Sequence, residues 1–288
     1  MKFRLRTLLI CLPWALVACG ESDSSPSSEL RTRPAVLDLW SQGTPAFGIF
    51  VPDERPPEER GDPGARLPAI YTAEGGRTLA QNPLLDFLFL NMEGSYDPEG
   101  VSAIVSGVRS AQASAPPAVL VRLPSIATAG EDETRTRVRE VLAMGADGVV
   151  LPHIRSQEEA ERAIGFFREA GADVWSPENP GGKIVAMLMV EDPESAAQAP
   201  EIARMEGFSL LACGIGSMTS ALGGDRDAAE VWNRFVFDEA TAAGRPSMTT
   251  ANAGDIAARI EQGFLALLTS GPQAEEALRI GRASVGRE

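Results

Sequence analysis

The sequence predicts an α/β fold and, within that class, a (β/α)8 TIM barrel; three observations carry the prediction. Short apolar runs alternate with stretches of helical periodicity, the pattern of parallel strands joined by right-handed crossovers. The runs number eight, the count that closes a barrel, although an open doubly wound sheet is the alternative topology. The third is the unit from Met144 to Ile164. There an apolar run, a proline stop and a helix start follow one another directly.

The chain opens on a segment outside this pattern. MKFRLR is basic and TLLICLPWALVA is apolar but too short to cross a bilayer, so residues 1–18 read as a secretory signal. Leu16-Val17-Ala18-Cys19 is similar to the lipobox of bacterial lipoproteins. That resemblance implies cleavage before Cys19 and a lipid anchor on its thiol. An ordinary signal peptide with a coincidental cysteine is the alternative. Gly20 follows rather than aspartate, which favours the outer membrane, with the protein at its periplasmic face. Residues 19–33, polar and rich in serine, form a flexible tether, and the barrel occupies 34–288.

Within the barrel, Pro34 to Gln42 suits a short amphipathic helix with Val36, Leu37 and Trp40 on one side. Ala46 to Val51 is the first strand. Residues 52–67, PDERPPEERGDPGARL, are charged and proline-rich and form an exposed insertion. Asp86 to Asn91 is the second strand, 98–113 a helix, Ala118 to Arg122 the third strand, and Thr134 to Met144 a helix. In the fourth unit Asp147 to Leu151 is a strand buried on both faces, and Pro152 ends it because proline cannot donate to a ladder. Ser156 and Glu159 then have the spacing of a capping box, and Gly171 follows the helix as a C′ glycine. Further on lie strands at 184–190, 208–212, 247–250 and 264–268. Helices are expected near 194–204, 226–242, 253–261 and 273–283.

Composition narrows the function. With 288 residues, 44% hydrophobic, one continuous core is affordable. A net charge of −14 argues against a nucleic-acid partner. Cys11 lies in the signal and Cys19 carries the lipid, so Cys213 is left alone and stability rests on the core rather than on disulfides.

Chemistry in such a barrel belongs to the rim where the strands end, and Glu93, Arg122, His153, Glu191 and Ser217 stand there. Arg122 is either a surface ion-pair partner or an anion site, since its guanidinium fork matches a carboxylate. Glu191 either caps the next helix or binds a metal. His153, the sole histidine, is either structural or functional. Gly214, Gly216 and Ser217 offer backbone N–H groups that suit an anion, without the third glycine of a dinucleotide fingerprint.

Five stretches carry a family resemblance. They are Leu85 to Glu93, Val121 to Pro124, Val141 to Pro152, Met189 to Glu191 and the loop Gly214 to Gly223, GIGSMTSALG. In this order they resemble the HpcH/HpaI aldolase and citrate-lyase-like family. The resemblance implies a (β/α)8 barrel, often a homo-oligomer exchanging a C-terminal helix. It also implies carbon–carbon bond chemistry on a pyruvate enolate or related acyl substrate, with Mg²⁺ or Mn²⁺ holding a 2-oxo acid. By the same resemblance Arg122 binds the small carboxylate ligand and stabilises its oxyanion, and Glu191 is a metal carboxylate. Ser217 stands where the second metal aspartate is expected. Gly94 replaces the catalytic histidine, Asn91 an aspartate and Met189 a glutamine. One carboxylate and waters hold a hard divalent ion weakly. Glu93 or Asp192 is left to supply the missing carboxylate, and His153 is either a relocated catalytic base or a pocket residue. The expected function is a divergent carbon–carbon lyase. A small-acid binding protein without turnover, or an envelope protein docking through 52–67, is the alternative.

Overall fold

Eight parallel strands set the frame of the computed structural model, which describes residues 32–59 and 67–287. They are β1 (Ala46–Phe50), β2 (Phe87–Asn91), β3 (Ala118–Arg122), β4 (Gly148–Leu151), β5 (Val185–Val190), β6 (Leu210–Cys213), β7 (Met248–Thr250) and β8 (Ala266–Thr269). β1 pairs with β2 on one side and β8 on the other, and the ladder runs from β6 through β1 to β7. β6 and β7 stand side by side without a ladder between them, so the barrel is closed by hydrogen bonds everywhere but at this seam. The expected TIM barrel is the observed fold.

Strand periodicity sorts the core into two layers. Phe87, Phe89, Leu120, Val150, Val185, Met187, Met189, Leu210 and Leu268 belong to one buried cluster, the filling of the barrel. Their neighbours Leu88, Leu90, Val119, Val121, Val149, Leu188 and Leu211 belong to the other, which packs against the helices. The helix Ala35–Ser41 closes the barrel bottom with Val36, Leu37 and Trp40, and the Trp40 indole N–H donates to the Leu265 carbonyl at 2.8 Å. Gly48 on β1 makes room for the Phe87 ring, since a Cβ there would lie 2.3 Å from it.

Several boundaries differ from expectation, each for a local reason. β6 begins at Leu210 rather than Phe208. The Ser209 hydroxyl takes the ladder's place there, accepting from the Ala186 N–H at 2.9 Å and donating to the Trp175 carbonyl at 2.6 Å. β8 begins at Ala266 because the Phe264 N–H closes the preceding helix on the Arg259 carbonyl. That helix, Ile256–Glu261, starts late because the Asn252 side chain accepts from the Gly254 N–H in a turn of its own. The helix expected near 194–204 is two pieces, Pro193–Ala196 and Ala199–Ala203, since Pro200 has no N–H to continue the ladder. Ser156 caps the helix Gln157–Glu169 as expected, accepting from the Glu159 N–H. The box does not close on Ser156, because the buried Glu159 carboxylate accepts instead from the Arg155 N–H at 2.7 Å.

The helix Ala73–Ala80 has no counterpart in the sequence-based expectation. Its adjacent Gly75 and Gly76 suppress the helical signal. Packing explains one of them: a Cβ on Gly76 would lie 2.6 Å from the Ile104 carbonyl of the facing helix Pro98–Ser110.

The expected signal 1–18, the Cys19 lipid site and the tether through Arg31 lie outside the described residues, as do 60–66 of the insertion. The described part of the insertion is tied down. The Ile70 N–H donates to Asp53 at 2.8 Å and the Thr72 N–H to Glu54 at 2.7 Å. Among the described residues no helix is long and apolar enough to cross a membrane.

Candidate functional site at the barrel mouth

The alternation that fills the barrel with Leu120 and Met189 also directs Arg122 and Glu191 inward, two residues further along β3 and just past β5. Both reach the carboxyl-end rim, and both are buried. Glu93 follows β2, and His153 follows Pro152 at the end of β4.

These four side chains form one network. A single nitrogen of Arg122, Nη2, donates to Glu93 Oε1 at 2.8 Å and to Glu191 Oε1 at 3.1 Å. The His153 ring lies between the same carboxylates, with Nε2 2.9 Å from Glu93 Oε1 and Nδ1 2.8 Å from Glu191 Oε2. A carboxylate only accepts, so bonds at both ring nitrogens require both to carry a proton. The His153 backbone N–H adds a third bond, to Glu191 Oε2 at 3.0 Å. His153 holds this position with a φ of 52°, the one positive value outside glycine among the described residues. Such a backbone costs about 1–3 kcal/mol and persists where its surroundings impose it.

Electrostatics agree with the geometry. Hydrogen bonds to Glu191 and then Glu93 raise the His153 pKa to about 9. Burial pushes the Glu93 carboxyl up, but the hydrogen bond from His153 and the charges of Arg122 and His153 outweigh it, and the net shift is downward. Burial, with the charges of Glu191 and Glu230, pushes the Cys213 thiol up to about 12, so the thiol stays protonated and unreactive.

A cavity of about 200 Å³ opens beside the network, lined by Arg122, Glu191, Gly214, Gly216, Ser217 and Thr250 among others. The structure thus gathers Arg122, His153 and Glu191 into one cluster and sets the 214–217 segment against it. Two expectations need correction. Gly214 does not offer its N–H to an anion, because that group donates to the Val190 carbonyl at 3.1 Å. Residues 215–217 are the first turn of a short helix, Ile215–Ala221, whose N–H groups have no partner within the helix. Asp192 is spent as well: it caps Pro193–Ala196 in a closed capping box with Ser195. The second carboxylate is Glu93. Arg226 and Thr249 also line the cavity and escaped notice in the sequence, where an arginine opening a long helix and a threonine in a weak strand carry no site signature.

The donors bear on the divalent ion that the resemblance implies. Glu93, His153 and Glu191 each offer one ligand atom, and these lie within 4.8 Å of one another. Yet a ring nitrogen that donates has no lone pair for a metal. Arg122 already bonds to both carboxylates, and Gly214, where a Cβ would lie 1.9 Å from Glu191 Oε1, leaves room for that carboxylate. In this arrangement the donor set does not fit a divalent ion.

No curated protein matches the sequence. Among solved structures, an HpcH/HpaI aldolase/citrate lyase family protein from Burkholderia cenocepacia is 17% identical with a TM-score of 0.63, covering 88% of this chain and 98% of its own. An HpcH/HpaI aldolase from Desulfitobacterium hafniense is 19% identical with a TM-score of 0.62, covering 86% and 95%. The protein CitE from Mycobacterium tuberculosis, in complex with magnesium, acetoacetate and coenzyme A, is 18% identical with a TM-score of 0.53, covering 83% and 80%. At these identities the likeness is one of fold. The sequence pattern of the HpcH/HpaI aldolase/citrate lyase family matches residues 85–266, more than half of the chain and all the strands from β2 to the start of β8. The chain belongs to the HpcH/HpaI aldolase/citrate lyase family.

Proposed function

We propose that the barrel mouth binds a small 2-oxo acid or related carboxylate, on which the chain acts as a divergent carbon–carbon lyase of the aldolase type. One observation carries this reading: Arg122 lines the cavity, is buried, and its Nε–H has no partner. A buried donor left unpaired costs about 1–3 kcal/mol, and the planar fork of this guanidinium matches a ligand carboxylate. The cavity of about 200 Å³ is smaller than the roughly 300–1,000 Å³ of pockets for drug-sized ligands, which suits a small acid. Family membership supports the lyase class, and the acetoacetate in the CitE structure supports a short oxo acid. In this role Arg122, which lines the cavity, orients the carboxylate and supplies positive charge for a developing enolate oxygen.

A second reading, binding without turnover, is favoured by Gly94, which stands where the resemblance places the catalytic histidine. His153, holding both ring protons, has no free lone pair to take its place as a base. Titration calorimetry with pyruvate and oxaloacetate, combined with product analysis, separates the two. Arg122→Ala is expected to weaken binding by tenfold or more. Binding without product favours the second reading, and no binding to the wild-type chain defeats both.

The same reading places the chain in the bacterial envelope, anchored through Cys19 to the periplasmic face of the outer membrane. Fatty-acid labelling of the expressed protein, lost in Cys19→Ser, is the expected result. Labelling that survives the substitution would refute the anchor.

A further inference from the structure

Glu191, the carboxylate that the family resemblance assigns to a metal, is held here by a cation of the chain itself, Arg122. We infer that His153 and Arg122 together engage Glu93 and Glu191 as a bridging divalent ion would, so that these two carboxylates exclude a metal.

Three features of the cluster support this. The flat ring presents its two N–H donors at opposite edges, and each edge meets a different carboxylate, at 2.9 Å on Glu93 and 2.8 Å on Glu191. It bridges the two acids as a shared metal ion would. The backbone is committed to the same end. His153 adopts a φ of 52°, and from that conformation its own N–H and ring Nδ1 both bond to Glu191 Oε2. A ring merely filling space would not call for a strained backbone that doubles its grip on one oxygen. Charge completes the argument. Arg122 donates to both carboxylates, so the two acids already share one guanidinium. A divalent ion entering here would have to displace the ring and break all three of its bonds to Glu93 and Glu191.

The inference rests on the proposed acid site only in that both use the same mouth; its test needs no acid. Chelator-treated protein is titrated with Mn²⁺ alone, and free Mn²⁺ is followed by electron paramagnetic resonance. The wild-type chain is expected to show no saturable binding up to about 1 mM, the weak end of natural divalent sites. His153→Ala leaves Glu93 and Glu191 with Arg122 alone, and its affinity for Mn²⁺ is expected to rise at least tenfold. Adding Glu191→Gln to that variant should abolish the gain, which a general loosening of the fold would not. Circular dichroism confirms folding. His153→Asn, which keeps a hydrogen-bonding side chain but no charge, serves if the alanine variant is unfolded. Saturable Mn²⁺ binding to the wild-type chain would overturn the inference, as would a folded His153 variant that binds no better than wild type.

Discussion

At the scale of single residues, His153 shows how one side chain acquires its chemistry from neighbours distant in sequence. Its partners Glu93 and Glu191 come from the ends of β2 and β5, and only the barrel brings them together. The consequence is a pH dependence whose sign can be worked out. The His153 pKa is raised from 6.5 to about 9 on folding. A group with a raised folded-state pKa stabilises the fold fully below its unfolded value and loses that contribution as pH rises through its folded value. The His153 contribution is therefore complete below pH 6.5 and fades as pH rises through about 9. Glu93 acts in the opposite sense. Its folded pKa is lowered, so its contribution is present above 4.5 and is lost as pH falls through the lower folded value. Urea midpoints of wild type measured between pH 6 and 10 should decline on the alkaline side, and those of His153→Asn should decline less. Parallel curves for the two proteins would show that the ring is not charged in the folded state. Sequence alone left His153 as base or pocket residue because neither ring partner is near it in the chain. Arg122 and Glu191 were legible because strand alternation places them at rim positions.

At the scale of elements, the helices were least legible where they are built from glycine. In the pair Ala73–Ala80 and Pro98–Ser110, Gly76 faces Ile104 and Gly107 faces Ala73. A Cβ on Gly107 would stand 2.1 Å from the Ala73 carbonyl. The backbones approach at the expense of helical propensity, so a window that scores propensity misses the first helix. The strands posed no such difficulty, because apolar runs such as Phe87 to Leu90 and Val185 to Val190 are buried on both faces. This explanation makes opposite forecasts for two glycines. Gly107→Ala should destabilise the protein by about 1–3 kcal/mol through overpacking. Gly165→Ala, in the helix Gln157–Glu169 with nothing within 4 Å of its added Cβ, should stabilise by about 0.5–1 kcal/mol. Equilibrium urea unfolding measures both, and an equal effect at the two sites would refute the close-approach account.

At the scale of the whole molecule, the position of the seam connects the barrel's construction to its site. β7 is three residues long and pairs with β8 alone, whereas β2 to β5 are bonded on both sides. An amide that lacks a ladder partner opens more readily. The cavity lies across this seam, with Cys213 and Gly214 from the β6 side and Met248, Thr249 and Thr250 from the β7 side. A ligand held by Arg122 in that cavity therefore touches both edges of the one gap in the ladder. Two consequences are expected in hydrogen exchange followed by mass spectrometry. Without ligand, peptides covering 247–251 should exchange before those covering 87–91 and 185–190. With pyruvate or oxaloacetate at saturating concentration, protection should rise on both sides of the seam, in 210–217 and 247–251, and change little in the helix Pro98–Ser110. Protection confined to one side would mean that the acid binds without spanning the gap, and uniform protection across the barrel would mean that stabilisation is global. The seam would then be a consequence of the short β7 alone and no part of the site.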